Sequence, residues 1–186
     1  MASRDSKNLE IIAPKNIWQG NADAAVSLVM FGDYESRECA KAHKVVTRLL
    51  EAFEGKIRFC FRHFPLTQVH QYSHKAAEAA VASCQEGKFW EMHNLLFENQ
   101  RRLGTISLKE YAREAGVTDK NFIPKLVDSA YGWTVRADLL EGLDIGVRDV
   151  PAFIINDELY TGKPSFEGLS KAIQDAIKQS RRKRVA

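Results

Sequence analysis

No C-x-x-C pair occurs anywhere in the chain. The three cysteines, Cys39, Cys60 and Cys84, are odd in number and irregularly spaced. That excludes a dithiol redox centre and a paired-cysteine zinc knuckle, and it argues for free thiols in a reducing compartment. Long apolar runs are missing as well. Neither a secretory signal nor a membrane-spanning segment is legible, so the expected location is cytoplasmic, without membrane contact. Charge of one sign is scarce: the formal net charge is +3, and Arg181-Arg182-Lys183-Arg184 alone exceed that excess. The remainder is near neutral and gives no footing for nucleic acid. Glycine and proline are too scattered to mark a linker, and no repeat or low-complexity tract interrupts the chain. Its 186 residues suffice for one domain with a sizeable core. His63, His70, His74 and His93 lack acidic or cysteine companions at a familiar ligand spacing, so no metal is expected.

What is present reads as alternating elements. Val26–Phe31 is short, apolar and rich in strand formers, hence a buried strand, with Ile17–Gln19 a short edge strand before it. Ser36 stands where a hydroxyl can accept an orphan amide proton, and the spacing predicts a helix from there to about Phe53. Its stripe is Ala42, Val45, Val46, Leu49, Leu50 and Phe53. Ile57–Arg62 is the next strand. Helices then follow over Lys75–Cys84 and Phe89–Glu98. A third is opened by a capping box, Ser107 to Glu110, and stopped near Gly116. A fourth is capped by Thr118 and runs through Val127, and a fifth spans Thr134–Leu143. Ala152–Ile155 and Leu159–Thr161 flank an Asn156-Asp157 turn as a hairpin. A last helix begins at Pro164-Ser165 and buries Phe166, Leu169, Ile173, Ala176 and Ile177. The order is β-α-β, a helical block, then β-β-α.

Several motifs in that order resemble the DsbA-like family of thiol-disulfide oxidoreductases. Phe31-Gly32-Asp33-Tyr34-Glu35-Ser36-Arg37-Glu38-Cys39 stands where such proteins read F-x-D-Y-x-C-P-x-C. Phe61-Arg62-His63-Phe64-Pro65-Leu66, Gly87–His93 and Gly146-Val147-Arg148-Asp149-Val150-Pro151-Ala152-Phe153 match further segments, over about Trp18 to Ile177. The resemblance implies an α/β thioredoxin fold with an all-helical insertion: core 17–66 and 146–180, insertion 71–145, an N-terminal extension 1–16 and a basic tail 181–186. It also implies a cis Val150–Pro151 bond facing Cys39.

The site departs from the family pattern. Ser36 replaces the attacking cysteine, and Arg37 the usual proline. Exchange needs a thiolate and then a second thiol to release the mixed disulfide, so dithiol–disulfide cycling is not expected. The Ser36 hydroxyl has two readings, a plain helix cap or a hydrogen bond to a bound thiol. A serine nucleophile would need a base, and no sequence neighbour supplies one. Cys39 lies on the buried stripe, where burial opposes the small help of the helix end. It is either structural or a slow monothiol. Cys60 and Cys84 read as core. The expected site is therefore Ser36 and Cys39, with Tyr34, Arg37, Val150 and Pro151 lining a place for a thiol compound or an extended peptide. No cofactor is expected apart from glutathione as a candidate. The rival readings are a glutathione-dependent enzyme, by analogy with the related kappa-class transferases, and a non-catalytic interaction module.

Overall fold

Alternation along two strands decides where the layers lie. In the computed structural model, which describes residues 11–185, β2 (Val26–Gly32) and β3 (Ile57–His63) pair in parallel from Val26↔Ile57 to Gly32↔His63. β4 (Ala152–Ile155) lies antiparallel on the other side of β2, and β5 (Glu158–Tyr160) follows it through a hairpin. β1 (Gln19–Gly20) borders β3, giving the order β1-β3-β2-β4-β5. On one face of β3, Phe59 meets Trp90, and Phe61 meets Tyr34 and Phe97. On the other, Cys60 and Arg62 meet the 3₁₀ turn Pro14–Asn16 and the helix over Gly132–Asp144. Both faces are covered, and the central strand β2 is apolar but for Ser27 and Gly32.

α1 (Arg37–Ala52) packs against α7 (Phe166–Val185). The insertion supplies α2 (Ser73–Cys84), α3 (Phe89–Glu98), α4 (Thr105–Glu114), α5 (Phe122–Val127) and α6 (Gly132–Asp144). α2 is the hub of the insertion. Ala76 through Cys84 are buried on every side, and their small side chains admit α3, α4, α5 and α6 as neighbours. Close approach also fixes α6: a Cβ on Gly142 would come within 2.9 Å of Phe64 and 3.0 Å of Phe31. The hairpin turns on Asn156 and Asp157, both at positive φ, 46° and 70°.

Several boundaries differ from expectation. Ser107–Glu110 is no capping box, because the N-cap of α4 is Gly104, three residues before Ser107; Tyr111 donates its hydroxyl to the Arg102 carbonyl next to that entry. Thr118 caps no helix: its hydroxyl and N–H both go to Glu86 Oε2 at 2.6 and 3.0 Å, and α5 starts at Phe122. The first edge strand sits at Gln19–Gly20 rather than Ile17–Gln19, and α6 begins at Gly132, before Thr134. The expected N-terminal extension lies outside the described residues as far as residue 10. Its end is docked, since Ile12 exchanges backbone hydrogen bonds with the Gln85 amide and Pro14 is buried. α7 continues to Val185, so the basic run is helical; Ala186, the end of the expected tail, lies outside the described residues.

One buried polar network anchors the carboxyl end of β3. Arg62 Nε donates to Asp138 Oδ1 at 2.7 Å, and its other nitrogens clamp Glu141 at 3.1 and 2.7 Å. His63 donates its N–H to Asp138 Oδ2 at 3.0 Å, and its Nδ1 lies 3.2 Å from the same oxygen. Burial alone would raise the Asp138 pKa; the His63 and Arg62 contacts outweigh it and hold it below the usual value. A depressed carboxylate contributes stability above its unfolded pKa, and that stability is lost as pH falls through the folded one. Asp138→Ala leaves Arg62 buried without this partner. We predict a loss of about 3 kcal/mol, read as a Tm roughly 6–12 °C lower at pH 7, with the difference from the natural chain narrowing below pH 4.

Candidate functional site

The loop Asp33-Tyr34-Glu35-Ser36 carries β2 into α1, and Asp33 organises it. Asp33 is 2% exposed. Its Oδ1 accepts the Glu35 N–H, and its Oδ2 accepts the Leu66 N–H and meets His70 Nδ1, each at 2.8 Å. Its carbonyl accepts the Ser36 N–H at 3.1 Å. Gln100, just beyond α3, donates its amide to the carbonyls of Tyr34 and Ser36 at 3.0 and 3.1 Å. Glu35 accepts the Tyr72 N–H at 2.6 Å. Two separate segments, residues 66–72 and Gln100, thus hold four residues of loop.

Ser36 is the N-cap of α1. Its φ and ψ are −72° and 121°, and its hydroxyl oxygen accepts the Cys39 N–H at 3.2 Å. Cys39 is enclosed, with 0% exposure. Burial pushes its thiol up to about 11; hydrogen bonds from Ser36 and from the Asp33 N–H, 3.4 Å from Sγ, oppose that shift without offsetting it, and the negative fields of Asp33 and Asp149 add to it. Cys60 and Cys84 are buried and unbridged too, pushed by burial to about 12 and 11.

The register Phe31↔Ala152 sets Pro151 beside Gly32, next to the 33–36 loop. The Val150–Pro151 bond is cis. Val150 is buried, and its N–H donates to Asp149 Oδ1 at 2.8 Å. Ser36, Cys39, Val150 and Pro151 therefore share one end of the sheet, and Arg37 stands exposed at the helix tip. Tyr34 is placed differently from the expected lining residue. Its side chain is 1% exposed, packs on Phe61 and Phe97, and hydrogen-bonds His93 Nδ1 at 3.0 Å. Burial drives the Tyr34 pKa well up and the His93 pKa well down, so this pair is neutral. His70 and His74, four apart in sequence, do not converge: one meets Asp33, the other Glu78. Sequence reading missed Asp33 as organiser and missed Gln100 altogether. The aspartate is visible in the D-Y motif, but nothing local marks a glutamine 64 residues from Ser36 as its partner.

Two outcomes follow from this geometry. Ser36→Ala removes the cap and lowers stability by about 1 kcal/mol, measurable by urea denaturation. Native Cys39 alkylates with iodoacetamide about a hundredfold more slowly at pH 7 than in the unfolded chain, because its pKa sits near 11 against an ordinary 9.0. Mass mapping of the modified peptide resolves it from the other thiols. The sign extends to stability: the folded state retains the proton longer, so stability falls as pH climbs from 9 toward 11.

A family model described as Thioredoxin matches residues 13–175. Na(+)/H(+) antiporter NhaA 1 of Salinispora arenicola is 36% identical over 164 residues, covering 88% of this chain and 25% of that protein. Na(+)/H(+) antiporter NhaA of Nitrosospira multiformis is 30% identical over 166 residues, covering 85% and 25%. The chain spans about a quarter of the length of the curated relatives it matches. Among solved structures, oxidised BdbD from Bacillus subtilis superposes with a TM-score of 0.79 at 21% identity, covering 89% of this chain and 93% of that one. A thioredoxin-like oxidoreductase from Silicibacter pomeroyi gives 0.73 at 25%, covering 89% and 92%. The thiol-disulfide exchange protein alpha-DsbA2 from Wolbachia pipientis gives 0.71 at 23%, covering 85% of each chain. Among the described residues no helix is long and apolar enough to cross a membrane. With the strand order, the helical insertion and the matched segments in agreement, the chain belongs to the thioredoxin family and has the DsbA-like form of its fold, with serine at the first position of the S-x-x-C segment.

Proposed function

We propose that this protein binds an extended peptide or a thiol compound beside Pro151 and does not run dithiol–disulfide cycles. The observation that carries this reading is the state of residues 36 and 39. The position at the helix tip holds an alcohol whose oxygen is engaged as a cap, and the one sulfur nearby is enclosed with a raised pKa. Neither supplies a thiolate at neutral pH, so the attack that starts exchange has no agent. The binding geometry does not depend on that agent. Backbone groups next to Pro151, at the end of β4 and beside the loop, offer pairing to an extended segment, which takes the Val150 N–H from Asp149. Three buried, unbridged thiols support a reducing, cytoplasmic setting.

A second reading has its own support. The curated relatives carry the matched segment as a quarter of named ion antiporters. In such a context the domain acts as an accessory unit, recognising a segment of its partner rather than turning over a substrate.

The test is reduction of insulin by dithiothreitol. The natural chain is expected to leave the rate at the uncatalysed level, and Ser36→Cys, which restores C-x-x-C on an intact helix tip, to raise it. Catalysis by the natural chain at thioredoxin-like rates overturns the reading.

A further inference from the structure

A groove of about 320 Å³ runs alongside the Ser36 loop, between the outer face of α1 and the turn after α3. Its polar lining is Glu35, Arg37, Lys41, Lys44, Gln100 and Arg101. Residues 37, 41 and 44 share one helix face, opposite the buried Cys39, Ala42, Val46 and Leu49. Four cations therefore converge beside the loop, although the chain apart from its basic run 181–184 carries no positive excess. Arg37, Lys44 and Arg101 form no ion pair among the described residues. Lys41 pairs with Glu38 at 2.7 Å, but with both partners largely exposed, a contact of little strength that an incoming anion displaces. The one carboxylate lining the groove, Glu35, accepts the Tyr72 N–H through Oε2. The amino end of α1 adds the positive end of its macrodipole on the same side. Gln100 joins this groove to the site itself, since its amide holds the carbonyls of Tyr34 and Ser36.

The four cations outnumber the two carboxylates beside them, Glu35 and Glu38, and such an excess of one sign attracts anions. Arginine forks match carboxylates in two-point contact, and lysines add mobile point charges. We propose that this groove receives the carboxylates of an acidic extended peptide, and that this is the ligand class of the site beside Ser36 and Pro151. The proposal rests on the peptide-binding reading above and names its substrate. At about 3.3 Å per residue, an extended hexapeptide spans roughly 20 Å. Glutathione carries the same groups in small form, two carboxylates on a tripeptide.

The experiment measures binding by fluorescence anisotropy with two labelled hexapeptides, one with three glutamates and one with glutamines in their place. The glutamate peptide is expected to bind on the order of tenfold more tightly at low salt, an advantage that shrinks between 50 and 300 mM NaCl. The triple variant Arg37→Ala, Lys44→Ala, Arg101→Ala changes only exposed side chains. It is expected to keep its circular dichroism and to lose the preference. Arg181→Ala with Arg182→Ala, which removes positive charge elsewhere, is expected to retain it. Displacement of the glutamate peptide by millimolar glutathione assigns the carboxylates to a small tripeptide, and resistance to it assigns them to a longer acidic segment. Equal affinity for both peptides overturns the groove while leaving peptide binding standing, as does a preference that survives in the triple variant. Binding of neither peptide overturns both.

Discussion

Asp33 is enclosed at the point where a parallel pair of strands ends and the first helix begins, and it spends both carboxylate oxygens there. One oxygen orders its own loop through Glu35, and the other reaches the Leu66 N–H and His70 in the segment after β3. Without it, two backbone donors near the sheet end would lose their partners, and a buried orphan of that kind costs about 1–3 kcal/mol. The helix tip, the cap at Ser36 and the enclosure of Cys39 all depend on the loop keeping this shape. A buried carboxyl is tolerated because its own loop and the segment after β3 both supply partners for it.

The state of the sulfur follows from competition between two effects. A helix amino end favours a thiolate by roughly 0.3–1 kcal/mol, less than one pKa unit. Burial acts the other way and wins, taking Cys39 to about 11. Serine at the tip suits this arrangement, since an alcohol satisfies the Cys39 N–H and needs no ionised form. The helix tip thus carries an alcohol engaged as a cap and, one turn on, an enclosed thiol. What stands on the surface beside the loop is a groove lined by Arg37, Lys41, Lys44 and Arg101.

Much of this is legible in the sequence. The strand at Val26–Phe31, the α1 stripe and its Ser36 cap, the Asn156-Asp157 turn and the order of elements stand close to where periodicity and turn chemistry put them. Local patterns succeeded where a single element's own needs decide the outcome. They failed where a distant group intervenes. Ser107 had the spacing of a capping box, yet α4 starts earlier, next to the bond from Tyr111 to the Arg102 carbonyl. Thr118 had the chemistry of a cap, and Glu86 claimed it. Tyr34 looked like a lining residue, and His93, brought over by α3, drew its hydroxyl inward.

The sequence by itself determined the class of fold and the absence of a sulfur pair, because hydrophobic period and residue identity are properties of the chain alone. Only tertiary structure decided which groups face one another. It put Gln100 under the loop, closed Asp33 over with Leu66 and His70, raised the Cys39 thiol, and lined up Arg37, Lys44 and Arg101 in one groove. Burial and field strength depend on distances across the folded molecule, and those exist only once the chain has closed on itself.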